Sequence, residues 1–351
     1  MPRSMVRPVS IQLLVPGLVT AFSEYSAACL PAATALSRIL GPATRSDFPV
    51  ASWEAALCTC MGMSYPDESA IPAACLSYLG DRGHLPESDC LLLEPVHLRT
   101  DTHGLLLFDN GRFPFTEQES TGLTAALQDY LNENGWRVDA SEFQRWYLLG
   151  EGLGMTGADP FSQVLGNTVN QRMLRGEYRP DWQARVNEMQ MLLHSSEVNL
   201  QRAREGLPAV NSVWAWGGGR LPIAANTDIS GLYCDDALGR GLAHWAGIDC
   251  EGVSADAGEL LENLQGRQRV LVSLSDCYAA AVYGDFDVWS QAVNALEKRW
   301  FQPLLKKLQT GRIARLELLA LDGFRYSLTR WALWRRPWKR RQPWYRLLQR
   351  A

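Results

Sequence analysis

The sequence predicts an α/β protein with a largely parallel sheet flanked by helices, and three observations predict it. Short apolar runs of strand length alternate with longer stretches of helical periodicity along most of the chain. The run Val270-Leu271-Val272-Ser273-Leu274 is apolar throughout, as befits a strand covered on both faces. It is followed by Val288–Leu308, where Trp289, Val293, Leu296, Trp300, Leu304 and Leu308 fall on one helical face.

In order, Ile11–Val15 reads as a first strand, and Ala21–Leu40 as a helix interrupted near Pro31. Residues Ala51–Leu79 read as two helical pieces around the turn Pro66-Asp67-Glu68. Cys90–Pro95 is a short apolar run that leads to Val96, His97, Leu98 and Arg99. His97 and Arg99 alternate along this extended segment, so both can meet an anion on one face. The competing reading makes His97 a hydrogen-bonded residue at a sheet edge.

Leu105–Asp109 is a further strand, with Asn110-Gly111 as a hairpin signal into Phe113-Pro114-Phe115. Thr116–Asn134 is an amphipathic helix lined by Leu123, Leu127 and Leu131, and Arg145–Leu149 is a strand. Leu153–Pro180 is rich in Gly, Pro and polar residues and reads as a long connection able to shape a pocket mouth. Trp182, Val186, Met189 and Leu193 mark one face of the next helix. Ile229–Cys234 and Leu238–Trp245 read as strand and helix, with Gly247 closing the helix before Ile248–Val253. Pro303 is expected to kink the helix Val288–Leu308, and Arg315–Leu321 is the last strand expected, ending at Asp322-Gly323.

The candidate site centres on Asn211–Pro222, where Val213, Trp214 and Ala215 suit a buried strand that runs through Trp216 into Gly217, Gly218, Gly219 and Arg220. Consecutive glycines admit positive φ and close approach to the main chain. Arg220 offers a planar fork for phosphate or carboxylate, or alternatively for a carboxylate of the protein itself. In parallel sheets ligands gather beyond the carboxyl ends of the strands. Asp276 and Asp322, each following a predicted strand, are therefore grouped with Pro16-Gly17 and the glycine turn. Both aspartates can equally serve as helix or turn caps.

The motifs NEMQMLLH, VNLQRAREG and NSVWAWGGGRLP, between Asn187 and Pro222, resemble proteobacterial proteins labelled phosphoglycerate-mutase-like or RpfE-type regulatory proteins. The Pro-Val-His-Leu stretch at 95–98 is similar to the same group. From Asn187 to Asp322 the chain also resembles, more distantly, archaeal-type cofactor-independent phosphoglycerate mutases of the alkaline phosphatase superfamily. That resemblance implies an alkaline-phosphatase-like core with an inserted or N-terminal subregion. It also implies a two-metal site built from an N-terminal Asp-Gly, a serine nucleophile, a His-x-x-x-Asp-x-x-x-His stretch and a final Asp-His pair.

Here the corresponding positions read Pro16-Gly17, Asp276 without flanking histidines, and Asp322-Gly323. The five histidines rebuild no cluster at a recognisable spacing. Too few ligands remain for two cations. The expectation is thus a degenerate site, with no metal or other cofactor, in a regulatory or phosphometabolite-binding protein. An active metal-dependent mutase or phosphohydrolase is the alternative.

Composition is that of a soluble globular chain, 46% hydrophobic and 21% charged, and no apolar run approaches the roughly 18 residues of a spanning helix. Eight scattered cysteines suggest a reducing, cytoplasmic setting, and the lone Cys58-x-Cys60 pair is weak evidence for metal. The domains expected are an N-terminal α/β portion at 1–180, a mutase-like core at 181–324 and a basic tail at 325–351. The tail holds nine Lys or Arg and no acid, which leaves the rest at a formal −13 against −4 for the whole chain. Its interleaved tryptophans and arginines suit nucleic acid or a membrane surface, or else pack back onto the acidic body. On the packing-back reading the last fifteen residues form a mobile arm. A protein partner is left unspecified.

Overall fold

The computed structural model describes residues 8–19, 22, 28–102, 104–154, 156–167, 179–223, 225–264, 266–335 and 342–348. In chain order the strands are β1 (Val9–Leu14), β2 (Thr44–Asp47), β3 (Asp89–Asp101), β4 (Gly104–Phe108), β5 (Trp136–Glu142) and β6 (Arg145–Gly150). Then follow β7 (Ser212–Trp216), β8 (Gly231–Tyr233), β9 (Cys250–Glu251), β10 (Arg269–Ser273), β11 (Ile313–Leu319) and β12 (Phe324–Thr329).

The chain forms two compact units, one of Met1–Met63, Ala225–Gly239 and Ala243–Ala351, the other of Ser64–Ala224 with Arg240–Leu242. The second interrupts the first, so the compact units cut the chain elsewhere than at 180 and 324. The reason is pairing: residues 181–224 belong with β3, through β7, and not with the strands that follow them in sequence.

The first unit holds a seven-stranded sheet in the order β2-β12-β11-β1-β10-β8-β9. Pairings from β11 through β9 are parallel, as predicted, while β12 and β2 add an antiparallel edge. The chain therefore has a strand beyond Arg315–Leu321, because the turn at Asp322-Gly323 folds residues 324–329 back as a hairpin. Ile11, Leu13, Val270, Val272, Leu316 and Leu318 are fully buried between the sheet and its helices.

The helix Thr34–Leu40 begins at Ala33, which has no capping side chain, and its orphan amides are satisfied from afar. The buried Glu297 carboxylate accepts from Ala35 N at 2.6 Å and Leu36 N at 3.1 Å. Pro303 reshapes its helix by an identifiable route. Phe286–Leu296 and Gln302–Thr310 are α-helical, and a π turn at Glu297–Phe301 joins them, with Gln302 N donating to Glu297 O. The wider turn removes the clash between the proline ring and the carbonyl four residues back. All six apolar residues of the predicted stripe are buried.

The second unit contains an antiparallel sheet with order β4-β3-β6-β5, and β7 pairs with β3. Strand β3 is long enough to serve β4 with one half and β6 and β7 with the other. The expected hairpin at Asn110-Gly111 does not form. Arg112 N and Phe113 N both donate to Asp109 O, so the chain turns tightly there, and β4 pairs back onto β3 instead. The helix Glu117–Glu133 opens with a full capping box of Thr116 and Glu119, and Leu123, Leu127 and Leu131 face inward. The helix Arg179–Ser195 buries Trp182, Val186, Met189 and Leu193 as its periodicity predicts.

Part of the basic tail is docked on the first unit. Trp344 is 2% exposed, donates from Nε1 to Pro31 O at 2.9 Å and lies 6.1 Å from the Trp289 ring. Leu348 is equally buried, so the described part of the last fifteen residues, 342–348, is packed and not a free arm. The cations of 336–341 and Arg350 lie outside the described residues. Among those described, no helix is long and apolar enough to cross a membrane.

Candidate functional site

In the second unit, β7 is buried along its whole length and runs antiparallel to β3, with Trp216 opposite Leu92. The glycine turn therefore follows a strand of the antiparallel sheet and does not stand at a carboxyl end of the parallel one. Its three glycines pass through a gap that admits no side chain. Gly217 takes φ +79°, and its carbonyl accepts from Ala74 N at 3.0 Å. A Cβ on Gly218 would stand 2.5 Å from Leu91 Cδ2 and 2.8 Å from Gly154 O. On Gly219 it would fall 1.8 Å from Ala70 O.

Arg220 emerges from this gap exposed, and no ion pair engages it among the described residues. It borders a cavity of about 1180 Å³ that lies wholly within the second unit. Gly218 and Gly219 line it with Arg220. So do Gly154, Gly157, Asp159 and Gln163, from the connection read as shaping a pocket mouth.

Sequence reasoning missed the cavity's carboxylates, Asp67, Glu68, Asp89 and Asp159. Asp67 was legible only as a turn residue, and it does cap the single turn Glu68–Ala70 through Ser69 N at 2.8 Å. Glu68 accepts from Gln163 Nε2 at 2.5 Å, and Asp159 O accepts from Trp214 Nε1 at 3.1 Å. Cys75 and Cys90 also line the cavity. Burial, with the charge of Asp89 adding to it, pushes the Cys75 thiol up to about 11, and burial pushes Cys90 higher still. Both are protonated at neutral pH and are poor nucleophiles.

His97 and Arg99 share a face of β3 as expected, but the cavity lining among the described residues does not include them. His97 Nδ1 donates to Ala209 O at 2.7 Å, and its ring packs 4.7 Å from Phe113. The Arg99 guanidinium lies 4.9 Å over the Phe108 ring.

Asp276, Asp322 and Pro16-Gly17 belong to the first unit, at the carboxyl ends of β10, β11 and β1. Gly17, at φ +76°, is hemmed in: a Cβ there would stand 2.8 Å from Tyr278 Cα and 2.9 Å from Cys277 O. Asp276 is exposed in the turn before the helix Tyr278–Tyr283. Asp322 is 5% exposed and engaged within its hairpin, accepting from Tyr326 O–H at 2.6 Å and Phe324 N at 3.2 Å. Burial raises its pKa above the ordinary carboxylate value, against the pull of those two donors.

These residues do not fit a pair of divalent cations. Asp276 is exposed to solvent, Asp322 is engaged within its hairpin, and Pro16 offers no ligating side chain. No group of three or more His, Cys, Asp or Glu converges among the described residues. Cys58 and Cys60 sit on the buried helix Trp53–Cys60, where Gln12 Nε2 donates to Cys60 Sγ at 3.1 Å. Burial pushes that thiol up to about 12, and none of the eight cysteines forms a disulfide.

No protein-family profile matches the chain. It is 26% identical over 184 residues to the 2,3-bisphosphoglycerate-independent phosphoglycerate mutase of Methanosarcina mazei, covering 50% of this chain and 46% of that protein. The Methanosarcina acetivorans enzyme of the same name is 24% identical over 187 residues, covering 48% and 47%. The chain thus spans about half the length of the curated relatives it matches. Among solved structures, the PH0037 protein of Pyrococcus horikoshii aligns over 92% of this chain and 87% of its own, with TM-score 0.51 and 13% identity. The cofactor-independent phosphoglycerate mutase of Thermoplasma acidophilum aligns over 92% and 90%, with TM-score 0.44 and 16% identity. The sequence matches and the largely parallel α/β sheet make this chain a distant homologue of the archaeal-type cofactor-independent phosphoglycerate mutases.

Proposed function

We propose that this chain is a phosphoglycerate-mutase-like protein with a degenerate two-metal site, acting as a non-catalytic regulatory binder of a small anionic or phosphorylated ligand. Arg220 carries the reading. It is an exposed guanidinium without an ion pair among the described residues, bordering a cavity and following a glycine turn that passes close to neighbouring main chain. The names of the relatives supply the ligand class, since they act on a phosphorylated three-carbon acid. The first unit's acids support loss of the reaction, because Asp322 is committed to Tyr326 and Phe324. Two-metal phosphoryl transfer needs such acids free to hold cations.

The test joins elemental mass spectrometry of the purified protein to a mutase assay with 3-phosphoglycerate and added manganese, and to calorimetric titration of 3-phosphoglycerate. The reading expects no stoichiometric metal, no turnover, and binding that is weakened at least tenfold in Arg220→Ala. Near-stoichiometric metal with EDTA-sensitive turnover would instead make the chain an active mutase or phosphohydrolase.

A second reading, an adaptor acting through the tail, is favoured by one observation. In the helix Arg330–Arg335, Trp331 and Trp334 are 62% and 72% exposed, with Arg335 3.9 Å over the Trp331 ring. Exposed aromatics beside cations suit an anionic surface. Sedimentation with anionic vesicles and with single-stranded DNA, with and without Trp331→Ala/Trp334→Ala, tests it. Salt-sensitive binding that the double variant loses supports the adaptor, and no binding to either refutes it.

A further inference from the structure

The cavity beside Arg220 is poorly matched to a bare phosphate. Among the described residues its lining carries four carboxylates, Asp67, Glu68, Asp89 and Asp159, and one guanidinium, that of Arg220. Asp67 and Asp89 form no ion pair with Lys or Arg among the described residues. Asp89 is exposed at the start of β3, and the Asp67 oxygen that caps Ser69 leaves its other oxygen available. A dianion at Arg220 would sit against walls of its own sign, which costs affinity unless the ligand brings a positive charge.

A divalent cation is not the natural bridge, since no three ligating side chains converge among the described residues. An ammonium group is, because it needs only two or three acceptors and no fixed coordination sphere.

We infer that the cavity takes a zwitterion, a small molecule whose phosphate or carboxylate is held at Arg220 and whose protonated amine is held at Asp67 and Asp89. This rests on the reading of Arg220 as an anion site.

The probes are O-phosphoserine and 3-phosphoglycerate, which share the phosphate, the carboxylate and the three-carbon skeleton and differ in amine against hydroxyl. Inorganic phosphate is the third. In calorimetric titrations of the full chain, O-phosphoserine is expected to bind at least tenfold tighter than 3-phosphoglycerate, about 1.4 kcal/mol. Asp89→Asn and Asp67→Asn, which keeps a capping oxygen, are each expected to shrink that ratio without weakening 3-phosphoglycerate. Arg220→Ala weakens both ligands.

Equal affinity for the two would overturn the zwitterion while leaving the anion site intact. Binding of none of the three probes would overturn both. A ratio unchanged in both aspartate variants would overturn the placing of the amine.

Discussion

Gly219→Ala tests whether the glycine turn is built for close passage. The new Cβ would lie 1.8 Å from Ala70 O, 2.5 Å from Ala70 C and 2.6 Å from Ile71 C. Real Cβ contacts need about 3 Å or more, so one backbone segment must retreat by roughly 1.2 Å. The obstacle is main chain between the turn Glu68–Ala70 and the helix Ala73–Arg82, and no rotamer change can clear it. Retreat stretches Gly219 N→Ile71 O, already 3.3 Å, and strains Ala74 N→Gly217 O at 3.0 Å. Overpacking costs about 1–3 kcal/mol, and each lost hydrogen bond about 1 kcal/mol. The sum is about 2–5 kcal/mol.

The assay is urea denaturation followed by tryptophan fluorescence, with titration of 3-phosphoglycerate under native conditions. Gly218→Ala is the comparison. Its nearest contact is the end of the Leu91 side chain, and a milder loss is expected although Gly154 O stands at 2.8 Å. If Gly219→Ala matches the parent within 0.5 kcal/mol and keeps its affinity, the close-passage account of the motif is wrong.

Three further outcomes follow from the same geometry. The Asp81 carboxylate is 1% exposed and accepts from Tyr147 O–H at 2.6 Å, Arg145 at 2.7 Å and Arg240 at 2.8 Å. Burial alone would raise its pKa, but these partners hold it below the usual value. Its stabilising contribution is present above the unfolded-state pKa and lost as pH falls through the lowered one. Asp81→Asn is therefore expected to cost about 2 kcal/mol at neutral pH, since Arg145 and Arg240 can turn to solvent, and to flatten the acid limb of stability against pH. For Asp322, whose pKa is raised, the sign reverses: its contribution is present below the unfolded-state pKa and lost as pH rises through the raised value. Asp322→Asn, read by thermal melts from pH 3 to 7, should abolish that decline while keeping an acceptor for Tyr326. Trp344→Ala removes a buried ring together with its bond to Pro31 O, so it should cost about 3–5 kcal/mol and expose the tail to limited proteolysis.

Periodicity and turn chemistry by themselves determined the parallel core, the helix faces at Trp182–Leu193 and Trp289–Leu308, the disturbance at Pro303 and the glycine turn ending in Arg220. Each of these is a local matter of which side of an element is apolar, or of which φ a residue allows. Tertiary structure alone decided which strand β7 pairs with, and so made Gly217–Arg220 follow a strand of the antiparallel sheet while Asp276 and Asp322 follow strands of the parallel one. It also folded residues 324–329 back as an edge strand, tied Asp322 to Tyr326, and brought Asp67, Asp89 and Asp159 from distant stretches around Arg220. An apolar strand reads the same whichever neighbour it takes, and a carboxylate in a turn carries no local sign of what it will face. Those outcomes are set by contacts between residues far apart in the chain, which local patterns do not encode.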